Sequence, residues 1–193
     1  LWLDIVKKYQ LKWSPINKSL DIFKSIFDSE SQGKNIDLMI GWIKEVCKIL
    51  PSDYKNILLF NTLTGLRPNE AQRAIYLIKT KEKEYVDKDK GILKHYHFPE
   101  IFLRQTKNVY VSIINENILN IAKDTPNREY YYNSLRKRIS ITNNFDMNMY
   151  YCRKVFATYL RNEGIEPEII DLLQWGYQTR YLLIIIIGQI SMR

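Results

Sequence analysis

Two arginines stand out because each lies where a predicted helix meets a turn. Arg67 follows Thr64-Gly65-Leu66, and Arg153 lies in the segment 150–161. A guanidinium is planar and always charged, so it can bind two phosphate oxygens at once through parallel hydrogen bonds. The net charge of +8 over 193 residues favours a polyanionic partner such as nucleic acid. The alternative for either arginine is an ordinary surface salt bridge, or a stem lying on apolar surface.

Helical spacing of apolar residues predicts the elements that carry these arginines. We predict helices over residues 36–50, 54–63, 68–78, 116–123, 131–139, 151–162 and 167–174. Pro68 suits the first turn of a helix, and Glu70 favours the positive end of the helix dipole. Gly164 is a natural C-terminal stop for the helix that carries Arg153.

A change of pattern in the middle of the chain predicts a small antiparallel β-sheet. Residues 92–98 and 109–114 alternate and are rich in aromatic and β-branched residues. The charged stretch 79–91 is predicted to be an exposed loop. Lys107 lies at or near the turn between the two strands and is the third candidate cation. The expected fold class is therefore α+β, mainly α-helical.

Several segments match motifs of one known family, in the family's order along the chain. The motif Thr-Gly-Leu-Arg-Pro-Asn-Glu at 64–70 resembles a first-arginine motif, and residues 97–112 look like a lysine-bearing β-hairpin. The stretch Cys-Arg-Lys-Val-Phe-Ala-Thr-Tyr-Leu-Arg, which contains Arg153, looks like a second-arginine helix. Residues 168–174 resemble the segment that leads to the nucleophile. Together, over roughly residues 36–174, they resemble the catalytic domain of tyrosine recombinases, closest to archaeal-type DNA integrases.

The resemblance implies site-specific DNA recombination or integration. In that family a tyrosine attacks a DNA phosphodiester, forms a 3′-phosphotyrosine link and releases a 5′-hydroxyl. No metal or cofactor is needed. By resemblance, Arg67 and Arg153 would clamp the phosphate, and Lys107 would be the general acid that protonates the leaving oxygen. Most of the family has His or Lys three residues before the second arginine; here that position is Tyr150, whose phenol supplies no cation near pH 7.

The tail, residues 175–193, departs from the family. The family continues to a His-Tyr-Tyr-Arg-Pro segment that holds the nucleophile, whereas this chain reads Ile-Ile-Ile-Ile-Gly-Gln-Ile at 184–190. Read two bases further on, those codons can encode His-Tyr-Tyr-Arg-Pro-Asp. The preceding codons can encode Val-Ser-Asn-Lys-Val-Phe-Ala in the same frame. We interpret the tail as frameshifted rather than coincidental and expect no working nucleophile, with Tyr177 and Tyr181 as the substitutes left open.

The expected organisation has three parts. Residues 1–34 would be a linker or the remnant of an upstream DNA-binding domain, 35–174 the integrase catalytic domain, and 175–193 the aberrant tail. The expected partner is double-stranded DNA, with a homo-oligomer on the DNA left open, in a protein of a mobile genetic element. The apolar run 182–187 is too short to span a bilayer, so no membrane partner is expected. Two cysteines far apart in sequence favour a reducing compartment, so we expect a cytoplasmic, nucleoid-associated protein.

Two other functions compete with a recombinase. The first is a DNA-binding module that keeps the phosphate-binding residues but does no chemistry. The second is a basic helical interaction protein without a DNA role, which predicts that Arg67, Lys107 and Arg153 are scattered in space.

Histidines and tyrosines give weaker signals. His95 and His97 alternate on one face of the predicted strand, but no third ligand lies at a metal-binding spacing, so we expect no metal site. The run Tyr130-Tyr131-Tyr132 could stack on DNA or could be partly buried helix surface.

Overall fold

A computed structural model describes residues 32–103, 108–143 and 149–174 of the chain. The predictions for the tail 175–193, including those for Tyr177 and Tyr181, lie outside the described residues. So do Lys107 and nearly all of the segment 1–34.

Helices dominate the described residues, as the sequence predicts. They are α1 (Gln32–Ile49), α2 (Ser52–Thr64), α3 (Pro68–Thr80), α4 (Glu82–Tyr85), α5 (Pro99–Phe102), α6 (Glu116–Asp124), α7 (Tyr132–Asn143), α8 (Tyr151–Asn162) and α9 (Pro167–Gln174). All the predicted helices are present, and α8 and α9 have the predicted bounds. Helix α1 begins before the predicted residue 36, inside the segment 1–34. Within the described part of the chain, no helix combines the length and the apolar character that a membrane crossing requires.

A small antiparallel sheet lies between the helices and confirms the α+β class. Its strands β1 (Val86–Asp87), β2 (Ile92–Lys94) and β3 (Val111–Ile113) are ordered β1-β2-β3. Val86 pairs with Leu93, and Leu93 pairs with Ser112 on its other side. Leu103 and Asn108 form an isolated antiparallel bridge at the two ends of the segment that contains Lys107.

Helix α2 lies at the centre of the fold and packs against α3, α6 and α8. Its Ile57 and Phe60 belong to a core shared with α3, α6 and the sheet. Its Leu58 belongs to a second core, with Met39 of α1 and Cys152 of α8. The last residue of α2, Thr64, is buried, and so is Leu66 in the turn that follows. The packed end of α2 and this turn therefore hold the chain just before Arg67.

The prediction of an exposed loop over 79–91 is wrong at its start, where residues 79 and 80 belong to α3, and in its middle part. Residues Glu82–Tyr85 are helical, and Val86–Asp87 form an edge strand. Tyr85 is completely buried, and its ring lies 6.0 Å from that of Phe102 in a stacked arrangement. Lysines and glutamates surround Tyr85 in the sequence, so the hydropathy averaged over this stretch does not indicate that one aromatic residue is buried.

The predicted strand over 92–98 is correct only for its first three residues. His95–His97 form a 3₁₀ turn, so the two histidines do not share a face. His95 is fully buried, with Nδ1 2.7 Å from the hydroxyl of Tyr85 and Nε2 2.8 Å from that of Ser112. His97 is exposed, and its Nδ1 lies 3.1 Å from the carbonyl oxygen of Glu84. The strand thus ends at Lys94, and the next residue turns its imidazole towards Tyr85 and Ser112.

Candidate phosphate-binding site

The turn between α2 and α3 fixes the position of Arg67. Gly65 ends α2 in the left-handed region, at φ 65°, and its N–H donates to the carbonyl oxygen of Asn61 at 3.0 Å. The buried side-chain amide of Asn61 donates to the carbonyl of Leu66, whose own side chain is fully buried. A Cβ at Gly65 would lie 2.5 Å from Cδ1 of Phe156, so glycine is required for both its conformation and its size. Arg67 therefore leaves the turn in a fixed direction.

Glu70 connects Arg67 to the second arginine. Its carboxylate is buried, with Oε2 accepting from the backbone N–H of Arg67 at 3.0 Å and Oε1 accepting from Nη1 of Arg67 at 2.5 Å. Nη1 of Arg153 lies 3.9 Å from Oε2 of the same carboxylate. One carboxylate from α3 thus contacts guanidinium groups from two separate parts of the chain.

Arg153 is held on its other side by the end of α9. Its Nη2 donates to the carbonyl oxygen of Gln174 at 2.8 Å, and Nε2 of Gln174 donates back to the carbonyl oxygen of Arg153 at 2.8 Å. Burial, helped by the nearby charge of Arg67 and opposed by that of Glu70, lowers the pKa of Arg153 from 12.5 to about 10. A pKa of about 10 still leaves Arg153 protonated at neutral pH.

The electrostatics of this arrangement suit an anion. The three charged groups Arg67, Arg153 and Glu70 together carry +1, since the one carboxylate balances only one guanidinium. Helix α3 begins immediately after Arg67, and α8 begins two residues before Arg153. The N-terminus of a helix carries partial positive charge and favours phosphate groups. The positions of these two helix starts, next to Arg67 and Arg153 in the chain, thus favour an anion rather than a cation near the pair.

The side chains of Arg67 and Arg153 are only 12% and 10% exposed. A guanidinium in such a low-dielectric position interacts more strongly with a bound anion than one surrounded by water. The arginine pair, meaning Arg67 and Arg153 with their shared partner Glu70, is thus a pre-oriented feature of the fold.

The structure describes some of the site residues predicted from the sequence but not all of them. The structure brings Arg67 and Arg153 together at Glu70, while their catalytic roles stay predictions. Lys107 is outside the described residues. Tyr150 precedes the first residue of α8 and is 64% exposed, so it lies on the surface close to Arg153 in the chain.

Two residues of the site escaped the sequence prediction. In the sequence, Glu70 belongs to the first-arginine motif and lies at the helix dipole, and Gln174 belongs to the segment 168–174, but neither residue is predicted to contact an arginine. A signal for Glu70 existed, because an acidic residue at the third helical position can reach back to the N–H of the residue that caps the helix. No local signal exists for Gln174, because its partner Arg153 belongs to another helix.

Comparison of the chain with protein-family models, curated proteins and solved structures gives no match. The geometry of the site is therefore what bears on function.

Proposed function

We propose that this chain is the catalytic domain of a tyrosine recombinase, which holds a DNA phosphodiester between Arg67 and Arg153. The observation that carries the proposal is the contact of both guanidinium groups with Glu70, at 2.5 Å and 3.9 Å. Two cations from α8 and from the start of α3 meet at one place, in the order and spacing that resemble the two arginine motifs of that family.

Each arginine has a defined part in this proposal. In phosphoryl transfer without a metal, negative charge that develops on the non-bridging oxygens must be held by protein donors. Glu70 fixes one edge of the Arg67 guanidinium, and Gln174 fixes Nη2 of Arg153. Donors held in this way need no rearrangement when phosphate arrives. By the family resemblance, Lys107 would protonate the leaving 5′-oxygen.

We propose further that the chain as written binds DNA without cleaving it. The step that forms a phosphotyrosine needs a tyrosine at the phosphate, and the segment expected to supply it is replaced in the tail 175–193. A non-catalytic DNA-binding module would make the same phosphate contacts. What distinguishes it from a recombinase is whether the reading frame of the tail encodes the nucleophilic tyrosine. A helical interaction protein predicts scattered cations, which Arg67 and Arg153 are not.

Fluorescence anisotropy with a labelled duplex tests the proposal. Arg67→Lys and Arg153→Lys keep the positive charge but lose the planar fork, and each is expected to weaken binding about tenfold, since a charge-assisted hydrogen bond contributes about 1.5–3 kcal/mol. Lysine is preferred to alanine because removing a cation would leave Glu70 buried without its partner, at a cost of about 3–5 kcal/mol. Arg161→Lys, at the exposed end of α8, is the matched control and should bind as the parent chain does.

The outcome that contradicts the proposal is equally definite. A parent chain that does not bind duplex at low salt, or two lysine variants that bind as well as Arg161→Lys, would exclude phosphate binding by the arginine pair.

A further inference from the structure

A pocket of about 350 Å³ is lined by close chain neighbours of both arginines. Its wall includes Pro68 and Asn69, the two residues that follow Arg67, and Tyr150, which precedes the helix of Arg153. A base is joined to its own phosphate through a single sugar, so a base-binding pocket must adjoin the phosphate site. This pocket meets that requirement through the residues that immediately follow Arg67 and the residue that precedes the helix of Arg153.

Two exposed tyrosines line the pocket. Tyr131 and Tyr150 are each 64% exposed, although a tyrosine ring normally hides much of its apolar surface. The neighbours of Tyr131 in the tyrosine run behave differently: Tyr130 is buried, and Tyr132 packs partly buried against the core. The run is therefore mainly core, and its middle member faces the solvent at the pocket. Exposed aromatic rings in a groove stack with DNA bases, since every base has a π-face.

The remaining lining of the pocket mixes apolar residues, such as Pro68 and Met149, with polar ones, and no described lining residue is a carboxylate. A carboxylate outside the lining, that of Glu129, accepts from the hydroxyl of Tyr131 and leaves the face of its ring for stacking. The polar residues of the lining include Asn69, Asn133, Ser134 and Arg136. Amides and hydroxyls can pair with the edges of bases, and an arginine can contact the phosphate of a neighbouring nucleotide.

A neighbouring pocket of about 750 Å³ fits DNA less well. It shares Asn69, Tyr130 and Tyr131 with the smaller pocket, but its lining also includes Glu70, Glu100 and Glu129. Against these three carboxylates the larger pocket has two arginines, Arg73 and Arg128, whereas the described lining of the smaller pocket has Arg136 and no carboxylate. The balance of charge therefore makes the smaller pocket the better place for a nucleotide.

We propose that the smaller pocket receives one unstacked DNA base, held between the ring of Tyr131 or Tyr150 and the amides of the wall. The inference rests on the proposed function, since the base would belong to a nucleotide next to the phosphate at the arginine pair. It adds that the preferred substrate is DNA with one base displaced from the stack, rather than a uniform duplex.

Three duplexes that differ in one nucleotide test this proposal. The first has 2-aminopurine fully paired, the second has it as a one-nucleotide bulge, and the third has an abasic bulge in its place. The parent chain should bind the base bulge about tenfold more tightly than either of the others, which is within the range known for one stacked base. Stacking on tyrosine should also quench the fluorescence of 2-aminopurine.

Variants of the exposed tyrosines locate the effect. Tyr131→Ala and Tyr150→Ala should each lower the preference for the base bulge, and together they should abolish it, while Tyr131→Phe keeps a ring and should retain the preference. Both residues are largely exposed, so neither alanine is expected to disturb folding. Tyr159→Ala, at an exposed position of α8 outside the pocket, is the control and should leave the preference unchanged.

The results separate this inference from the proposed function. If the paired duplex binds and the lysine variants weaken it, but the base bulge is not preferred or the abasic bulge is preferred equally, the base pocket is wrong and phosphate binding stands. A preference that persists in the double alanine variant also overturns the pocket. If no duplex binds, both proposals fail together.

Discussion

Lowering the pH from about 7.5 to about 5 should destabilise the fold through one buried imidazole. His95 is completely buried between the hydroxyls of Tyr85 and Ser112, and burial lowers its pKa from 6.5 to about 3. The folded state therefore keeps His95 neutral at pH values where the unfolded chain binds a proton. The stability contributed by the neutral imidazole is present above pH 6.5 and is lost progressively as the pH falls from 6.5 towards 3.

The size of the effect follows from the two pKa values. Below the unfolded pKa, each pH unit costs about 1.36 kcal/mol for a group that stays neutral in the folded state. The free energy of unfolding at about pH 5 is therefore about 2 kcal/mol lower than at about pH 7.5, since the folded pKa lies well below this window. For a chain of this size, such a loss lowers the melting temperature by about 4–8 °C.

Urea denaturation followed by circular dichroism at several pH values measures this loss. The chain has two histidines, so His97→Gln removes the other imidazole and should leave the pH dependence in place. His95→Gln keeps polar atoms near Tyr85 and Ser112. Its stability is lower at every pH, but the slope between about pH 7.5 and about pH 5 should disappear. A parent chain with constant stability over this window, or a slope that vanishes in His97→Gln and persists in His95→Gln, would refute the reasoning.

Three further predictions concern the site and the tail. Gly65→Ala should lower the free energy of unfolding by about 2–4 kcal/mol, because of the positive φ and the contact with Phe156. Gly41→Ala, in the open middle of α1, should instead raise it by up to about 1 kcal/mol, and equal effects of the two variants in urea denaturation would contradict this. Duplex affinity measured by anisotropy should fall about tenfold or more from about 50 mM to about 200 mM salt, because bound phosphates release counterions, and salt-independent binding would count against the site. The chain as written should form no covalent adduct with a nicked duplex on a denaturing gel, while a chain with the tail in the alternative frame should form one. An adduct from the present chain that disappears in Tyr181→Phe would overturn the frameshift interpretation.

The helical part of the fold could be predicted because it is encoded locally. The apolar spacing of residues 151–162 and 167–174 defines both helices by itself, and Gly164 between them adopts the positive φ expected of a helix stop. The arginine pair was also within reach, since each arginine lies at the start of a helix whose place in the chain is recognisable.

What could not be predicted depends on contacts between distant residues. The charged neighbours of Tyr85 in the sequence give no sign that it lies in the core. The strand at 92–94 ends just before His95, whose imidazole contacts the hydroxyls of Tyr85 and Ser112. Likewise, the reciprocal bonds of Arg153 with Gln174 join two helices that no sequence spacing connects. Periodicity reports which face of an element is apolar, but not which side chain it meets.

The mutual hydrogen bonds of Arg153 and Gln174 have a consequence for whatever is attached after them. They fix Gln174 next to Arg153, so any segment joined after Gln174 starts at the arginine pair. A group joined covalently close to its target has an effective concentration on the order of millimolar, which a separate peptide would have to match in solution. Exchanging the residues that follow Gln174 therefore changes which side chains start at the arginine pair, while the bonds between Arg153 and Gln174 stay the same.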